Sequence, residues 1–593
     1  MLSWNDKKRP RAALLALIAA GAVVAGVLSS CGESQPDGVT WSALTQVIVR
    51  GAPGAQATLD REVEQAGGRV TEHIQLISAS VAEVPGSAIG WLSQQPGVEE
   101  VTPDGPVQLA SASYSPTTTP SSLYSIEQQL GVDSAWQDGY TGAGVGVALI
   151  DTGVTPVQGL NGANQVINGP DLSFDNASTP VRYLDANGHG TFMAGIIAGR
   201  DPGATPGQYA GDTTDFLGIA PDAHIVNVKV GSANGAVDVS QILAAIDWVV
   251  QHRYDNGFNI RVLNLSFGTD SSQSYLLDPL AYAAEVAWQQ GLVVVAAAGN
   301  QGQASTQLAD PAIDPYVIAV GASQPGYAGS FRVAPFSSHG SWSRGPDLVA
   351  PGTSLVSLRV PGSVIDYAYG ATATVGGRFF LGSGTSQATA VVSGIAALLV
   401  QEYPGATPDQ IKALLTGTAV PVRNGSPRAS GAGEVMTSAA VQAPLPSTSQ
   451  SFALSTGTGS LEAARGSAHV TLQGVTLSGE QDIFGNAVDT GALATLESYG
   501  GAWQGGNWNG ATWSGTYYVW GPTLSSWQYV PWTGTDWAGS PWSSVATPSG
   551  TWTGVTWSGV TWSGVTWSGV TWSGVTWSGV TWSNALWSTA GWS

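Results

Sequence analysis

The chain has 593 residues, 43% of them hydrophobic and only 10% charged, with a formal net charge of −21. That length accommodates several domains and a large core, and the acidity excludes nucleic acid and anionic membrane surfaces as partners, because both demand a basic face. Globular proteins carry about 25% charged residues, so Ser, Thr and Gly replace charge on this surface, and the single cysteine, Cys31, rules out an intrachain disulfide.

At the N-terminus, Lys7, Lys8, Arg9 and Arg11 precede 17 uncharged residues, Ala12 to Leu28, and then Ser29-Ser30-Cys31-Gly32. Basic, apolar, then small is the order of an export signal. Its end resembles a bacterial lipobox, in which the cysteine is lipidated. Residues 1–31 are therefore predicted to be a signal peptide with Cys31 as the lipidation site. An ordinary signal peptide and an uncleaved anchor are the alternatives, the apolar run being at the short limit for a membrane span.

After a polar spacer, residues 45–103 read as a small α+β domain. TQVIVRG (45–51), VTEHIQL (70–76) and SASVAEVP (78–85) are predicted strands. LDREVEQAGG (59–68), stopped by its glycine pair, and SAIGWLSQQPGV (87–98) are predicted helices. Residues 104–122, which include the Ser/Thr/Pro-rich LASASYSPTTTPSS, read as an exposed linker. In residues 123–440, apolar runs such as VGVALI (145–150), HIVNVKV (224–230), RVLNLS (261–266), GLVVVAAA (291–298) and YVIAVGA (316–322) alternate with helical patterns. One such pattern places Ile242, Ile246, Val249 and Val250 on a single face of residues 239–252. Strands that are apolar throughout and separated by helices predict an α/β fold, a parallel sheet covered by helices on both faces. Residues 441–502 read as a connector with weak strand signals in HVTLQGVTL.

Three residues in the α/β region attract attention together. Asp151 directly follows a buried strand in ALIDTGV, His189 is flanked by glycines in NGHGT, and Ser386 opens an apolar helix in GTSQAT. Singly, each has a plain structural role as a turn cap, a core contact or a helix cap. Jointly they offer a nucleophile, a base and a group to orient the base. A serine hydroxyl needs a base within hydrogen-bond reach, and imidazole is the side chain whose charge changes near neutral pH.

The chain order Asp, His, Ser and the segments around each residue resemble the subtilisin-like serine proteases. So do VVVAAAGN (293–300), GIAPDAHIVNVKV (218–230), DPAIDPYVIAVGA (310–322) and DLVAPG (347–352), and the likeness covers about residues 123–420. The resemblance implies a serine endopeptidase in which Asp151, His189 and Ser386 are catalytic and Asn300 donates its amide to the oxyanion. It implies that LNLSFG (263–268) is the edge strand that binds the substrate backbone, with Ser266, Phe267 and Gly268 in contact with substrate. Protein or peptide substrates follow, with no required cofactor; a structural calcium ion is compatible, without assignable ligands. The chain departs from the family at Phe192-Met193, where the family has His-Val, and at Gln387, Ala390 and Val391 after the nucleophile, where the family reads Met, Pro and His. Residues 45–103 resemble the inhibitor-type propeptide of the same family. They would be a partner of the protease until self-cleavage in the linker, and the mature enzyme would be extracellular or wall-associated.

The last 91 residues, 503–593, hold 17 of the 24 tryptophans, nine of them spaced by five from Trp552 to Trp592. A step of five forms a stripe on neither a helix nor a flat strand, but a turn in every repeat tolerates it. Disorder is the plain alternative for so simple a sequence, although its Trp, Val and Thr content speaks against it. A β-rich or irregular Trp-repeat tail of this kind suits stacking on a cell-wall polymer. The alternative for the whole chain is a cell-surface binding protein that uses the protease fold as a scaffold.

Overall fold

The computed structural model describes residues 44–513, apart from 53, 76–77, 104–113, 120, 177–181, 326–330, 424 and 473. Cys31 and the signal segment, and the repeats from residue 514 onward, lie outside the described residues. The chain divides into two units, residues 1–110 and 111–593.

In the first unit, β1 (Leu44–Gly51), α1 (Gln56–Gln65), β2 (Arg69–Ile74), β3 (Ala79–Pro85), α2 (Ile89–Leu92) and β4 (Val98–Pro103) follow in order. The strands form an antiparallel sheet, β2-β3-β1-β4. Val47 and Val49 of β1 share a face with Ala82 and Val84 of β3, and Leu59, Val63 and Leu92 from the helices complete a small core. The first helix begins at Gln56 rather than Leu59. The second predicted helix contracts to the four residues of α2, because Pro96 and the left-handed Gly97 turn the chain into β4.

The second unit opens with α3 (Leu123–Leu130), α4 (Val132–Gln137), β5 (Gly146–Asp151), β6 (Val166–Asp171), α5 (His189–Ala198), β7 (His224–Lys229), α6 (Val239–His252), β8 (Ile260–Leu265), α7 (Pro279–Gln289) and β9 (Val293–Ala297). It continues with β10 (Ile318–Pro325), β11 (Phe331–Val333), β12 (Leu348–Pro351), β13 (Leu355–Leu358), α8 (Val364–Ala373), β14 (Thr374–Val375), β15 (Phe379–Gly382) and α9 (Thr385–Glu402). The main sheet runs β11-β10-β9-β8-β5-β7-β6, with β12 also on β10. Every pairing in it is parallel except β10 with β11. Helices cover both faces, α5 and α9 packed together on one and α6 and α7 on the other. The close approach of α9 depends on small residues: a Cβ on Gly394 would lie 2.6 Å from the Ile219 Cβ. No helix of the described residues is long and apolar enough to cross a membrane.

The expected exposed linker ends earlier than Ser122. Tyr114 packs its ring 4.0 Å from that of Phe379, and the buried Ser122 caps α3 through the Ser125 N–H at 3.1 Å. Aromatic burial and a helix cap thus fasten the chain from Tyr114 onward.

After α10 (Pro408–Gly417), α11 (Pro427–Ser430) and α12 (Thr437–Gln442), the stretch read as a connector adds α13 (Leu461–Arg465), the hairpin β16 (Thr471–Leu472) and β17 (Val475–Thr476), and α14 (Thr490–Ser498). A meander follows, of β18 (Trp503–Gln504), β19 (Asn507–Trp508) and β20 (Ala511–Thr512). Its turns are Gly505-Gly506 and Asn509-Gly510, all four residues at positive φ, as tight two-residue hairpins require. Each five-residue step here therefore contains a turn. Trp503, Trp508 and Trp513 are buried in the same core as the main sheet. The Trp503 indole donates to the Ala244 carbonyl at 2.8 Å and the Trp508 indole to Asp247 at 2.6 Å.

Asp247 also faces Glu497 of α14, and both are buried. Burial pushes the Asp247 carboxyl up to about 7, while the Trp508 and Glu497 hydrogen bonds pull it back. Burial and the neighbouring Asp247 carboxylate push Glu497 well above the carboxylate range. The folded chain therefore keeps protons that the unfolded chain releases near pH 4. The resulting stability is complete below about pH 4 and is lost as pH rises through about 7. Asp247→Asn should flatten that loss: its melting temperature between pH 5 and 8 should fall less than that of the wild type, measured by scanning calorimetry at about one-unit intervals.

Candidate active site

Parallel strands end on one side, so their C-terminal ends bring distant residues together. Asp151 ends β5, Ser266 follows β8 and Asn300 lies just beyond β9. The pairs Leu149–Asn264 and Leu265–Ala296 put these three strands side by side and in step. His189 is the first residue of α5 and Ser386 the second of α9, and the two helices pack together.

The His189 Nδ1 lies 2.8 and 3.0 Å from the two Asp151 carboxylate oxygens. Asp151 is inaccessible to solvent and His189 1% exposed. The Thr152 N–H donates to Asp151 at 2.7 Å. Burial pushes the Asp151 carboxyl up; the charge and hydrogen bond of His189 and the Thr152 N–H oppose it. A Cβ on Gly190 would come within 2.1 Å of the Gly153 carbonyl and 3.1 Å of Asp151 Oδ1, so only glycine lets α5 start this close to β5.

Asp185, four residues before His189, holds the loop. Its Oδ1 accepts from the Thr152 hydroxyl at 2.8 Å and the Asn187 and Gly188 N–H groups at 3.1 and 2.7 Å, and its Oδ2 from the Thr191 N–H at 2.7 Å. The Thr152 hydroxyl in turn accepts from the Gly190 N–H at 2.9 Å. The signal for Thr152 and Asp185 was present: small polar side chains beside a buried carboxylate and a glycine-rich turn.

Ser386 is 3% exposed. Its hydroxyl donates to the Ser266 carbonyl at 2.8 Å, and the Ser266 hydroxyl donates to the Ser386 carbonyl at 3.1 Å. The Asn300 Oδ1 accepts from the Thr385 N–H at 2.8 Å and the Thr385 hydroxyl at 3.1 Å. Two donors on the oxygen fix which end of the amide carries the N–H groups. Ser266, Phe267, Gly268, Asn300, Thr385 and Ser386 line one open pocket. The N-terminus of α9 opens on it, and its dipole favours negative charge there.

The departures from the family pattern are inward-facing. Phe192 and Met193 are fully buried, and the Phe192 carbonyl accepts from the Ser357 hydroxyl at 2.8 Å. The segment carrying α8 grips the histidine loop, the Val364 and Ile365 N–H groups donating to the Ala186 and Asn187 carbonyls at 3.0 Å each. Gln387, Ala390 and Val391 are also fully buried. Both polar atoms of the Gln387 amide lack a hydrogen-bond partner among the described residues.

Among the described residues, no group of three or more Asp, Glu, His or Cys side chains could hold a metal ion. One set of converging carbonyls, Ala312, Asp314 and Val317, accepts from the Arg344 guanidinium at 2.9, 2.7 and 3.3 Å. The Lys412 ammonium serves Pro315, Tyr316 and Val317 at 2.7, 3.3 and 2.9 Å. Side-chain cations occupy that concavity.

Residues 142–433 match the model of the subtilase family. The chain is 37% identical over 304 residues to serine protease AprX of Bacillus subtilis (strain 168), covering 50% of this chain and 65% of AprX, just under two thirds of that relative. It is 30% identical over 369 residues to subtilisin E of the same strain, covering 61% of this chain and 81% of subtilisin E. Fervidolysin from Fervidobacterium pennivorans, a keratinolytic enzyme related to subtilisin, superposes with a TM-score of 0.44 at 25% identity, over 68% of this chain and 62% of that one.

Two substitutions probe the site. Asn300→Ala should lower kcat on the order of 10²–10³-fold with little change in KM, measured on a chromogenic peptide. Gln387→Met, of similar volume, should raise stability by about 1–2 kcal/mol in urea denaturation, because a buried amide without partners is unfavourable.

Proposed function

The chain belongs to the subtilase family of serine endopeptidases, and on that premise we propose that it is an exported protease that cleaves protein substrates with an Asp151–His189–Ser386 triad and activates itself. The contact of His189 Nδ1 with the Asp151 carboxylate, 2.8 Å at the strand end beside Ser266 and Ser386, carries this reading. Asp151 holds the Nδ1–H tautomer, which leaves Nε2 as the base. Ser386 Oγ bonds to the scissile carbonyl carbon while its proton passes to His189. The carbonyl oxygen becomes an anion and receives the Asn300 amide N–H. His189 then returns the proton to the leaving amine as the C–N bond breaks. Water repeats the sequence on the acyl-enzyme and regenerates Ser386. Every group used belongs to this chain or to water.

Residues 45–103 act as the propeptide. The cut falls in residues 104–113, since the chain from Tyr114 onward is fastened by the Phe379 ring and the α3 cap. A lipid on Cys31 would lie upstream of that cut, so maturation frees the protease from it. Binding of a wall polymer rests with the repeats beyond Trp513, because Trp503, Trp508 and Trp513 are buried and present no face for stacking.

The test is the intact mass of the largest stable fragment from wild type and Ser386→Ala, expressed side by side. Wild type should begin between residues 105 and 114, and the variant should retain the propeptide. Propeptide retention in both would overturn self-activation. Identical processing in both would remove Ser386 as the nucleophile of that step.

A further inference from the structure

We infer that the turn Ala464–Ser467, anchored by Arg465, is a positioning device for the substrate-binding wall Ser266–Gly268, so that the segment after the family-like region helps set substrate affinity. This rests on the reading of Ser266–Gly268 as that wall.

The wall is held on its inner side by Thr269 and Asp310, each N–H donating to the other's carbonyl at 3.0 Å. Gly268 fits tightly there, since a Cβ would come within 2.6 Å of the Ala309 Cβ. On the other side stands the turn. The buried Thr269 hydroxyl donates to the Ala464 carbonyl at 2.7 Å. The Ser467 N–H and hydroxyl donate to the two Asp270 carboxylate oxygens at 2.6 and 2.5 Å. Gly466, at φ +62°, has no room for a side chain, because a Cβ would lie 2.1 Å from Asp270 Oδ1. The turn thus bears directly on the two residues that follow Gly268.

Arg465 fixes the turn to the body of the fold. It is fully buried, and its guanidinium pairs with the buried Asp238 at 2.8 Å. It also donates to the Gly479 and Gln481 carbonyls at 2.6 and 2.7 Å. Asp238 is the N-cap of α6 and ends the loop that begins after β7. In that loop the Ala233 carbonyl accepts from the Asn187 amide at 3.0 Å, two residues from His189. One side chain therefore ties the wall after β8 to the loop that touches the histidine segment. A guanidinium suits this position because it supplies several donors in a fixed plane.

The experiment uses the full chain, matured, with Gly466→Ala, Ser467→Ala and Arg465→Met. A small sulfonyl fluoride reports whether Ser386 is activated, and KM and kcat are measured on a peptide anilide extended on the acyl side. Gly466→Ala should raise KM on the order of 10-fold or more, with kcat and the sulfonylation rate near those of wild type, the pattern of lost uniform binding. Ser467→Ala should move KM the same way by less. If Arg465→Met does not fold, the other two variants decide the matter. Unchanged KM in both, or equal falls in kcat and sulfonylation at unchanged KM, would overturn the inference. Wild type that resists sulfonylation at Ser386 would instead overturn the proposed function.

Discussion

Asp151 has no access to water at the end of β5, so its carboxylate persists as an anion only through the donors gathered around it. Those donors fix what stands nearby. The His189 ring must present Nδ1, the Thr152 N–H must point inward, and α5 must start close enough to touch, which Gly190 permits. Asp185 takes the Thr152 hydroxyl and three N–H groups of the histidine loop. The loop is thereby held from both sides of the histidine. The ring is oriented by the fold before any substrate arrives, so binding energy need not be spent on arranging it.

A second arrangement complements the first. The reciprocal pair between Ser266 and Ser386 joins the edge of β8 to the first turn of α9. The Asn300 amide is joined to the same turn through Thr385. Ser386, Asn300 and Ser266 are therefore tied to one another, while Asp151 and His189 belong to β5 and α5. The packing of α5 on α9 relates the two groups, and Gly394 lets α9 approach Ile219 in the segment that follows α5. Phe192, Met193 and Gln387, which differ from the family pattern, are buried between these elements and leave Asp151, His189 and Ser386 in place.

The parallel sheet and the placing of Asp151 and Ser386 at a strand end and a helix start were legible because they rest on short-range signals: apolar runs of strand length, and polar residues at their ends. The α6 pattern at residues 239–252 appears where its periodicity puts it. What was not legible depends on contacts distant in sequence. Nothing local in SPTTTPSS says that Tyr114 meets Phe379 or that Ser122 caps a helix. Arg465 meets Asp238 across 227 positions, and the low-charge stretch around it reads as a connector. The five-residue tryptophan step gave the need for a turn, but not that Trp503, Trp508 and Trp513 are spent on the core.

The extension from residue 441 to 513 shows two uses of buried charge. Asp247 and Glu497 face one another with no ion-pair partner among the described residues, and burial raises both. Because burial favours the protonated form of each, the strength of their contact depends on pH. Arg465 and Asp238 form an ion pair that is 0% and 1% exposed and is supplemented by carbonyls on the guanidinium. A buried ion pair adds little net stability over apolar residues of the same volume, yet breaking one partner is strongly unfavourable. Its value here is positional. Apolar packing tolerates sliding, whereas a guanidinium fork accepts one register. With one cysteine in the whole chain, no disulfide can join the extension to the sheet, and the fork supplies the fixed point instead.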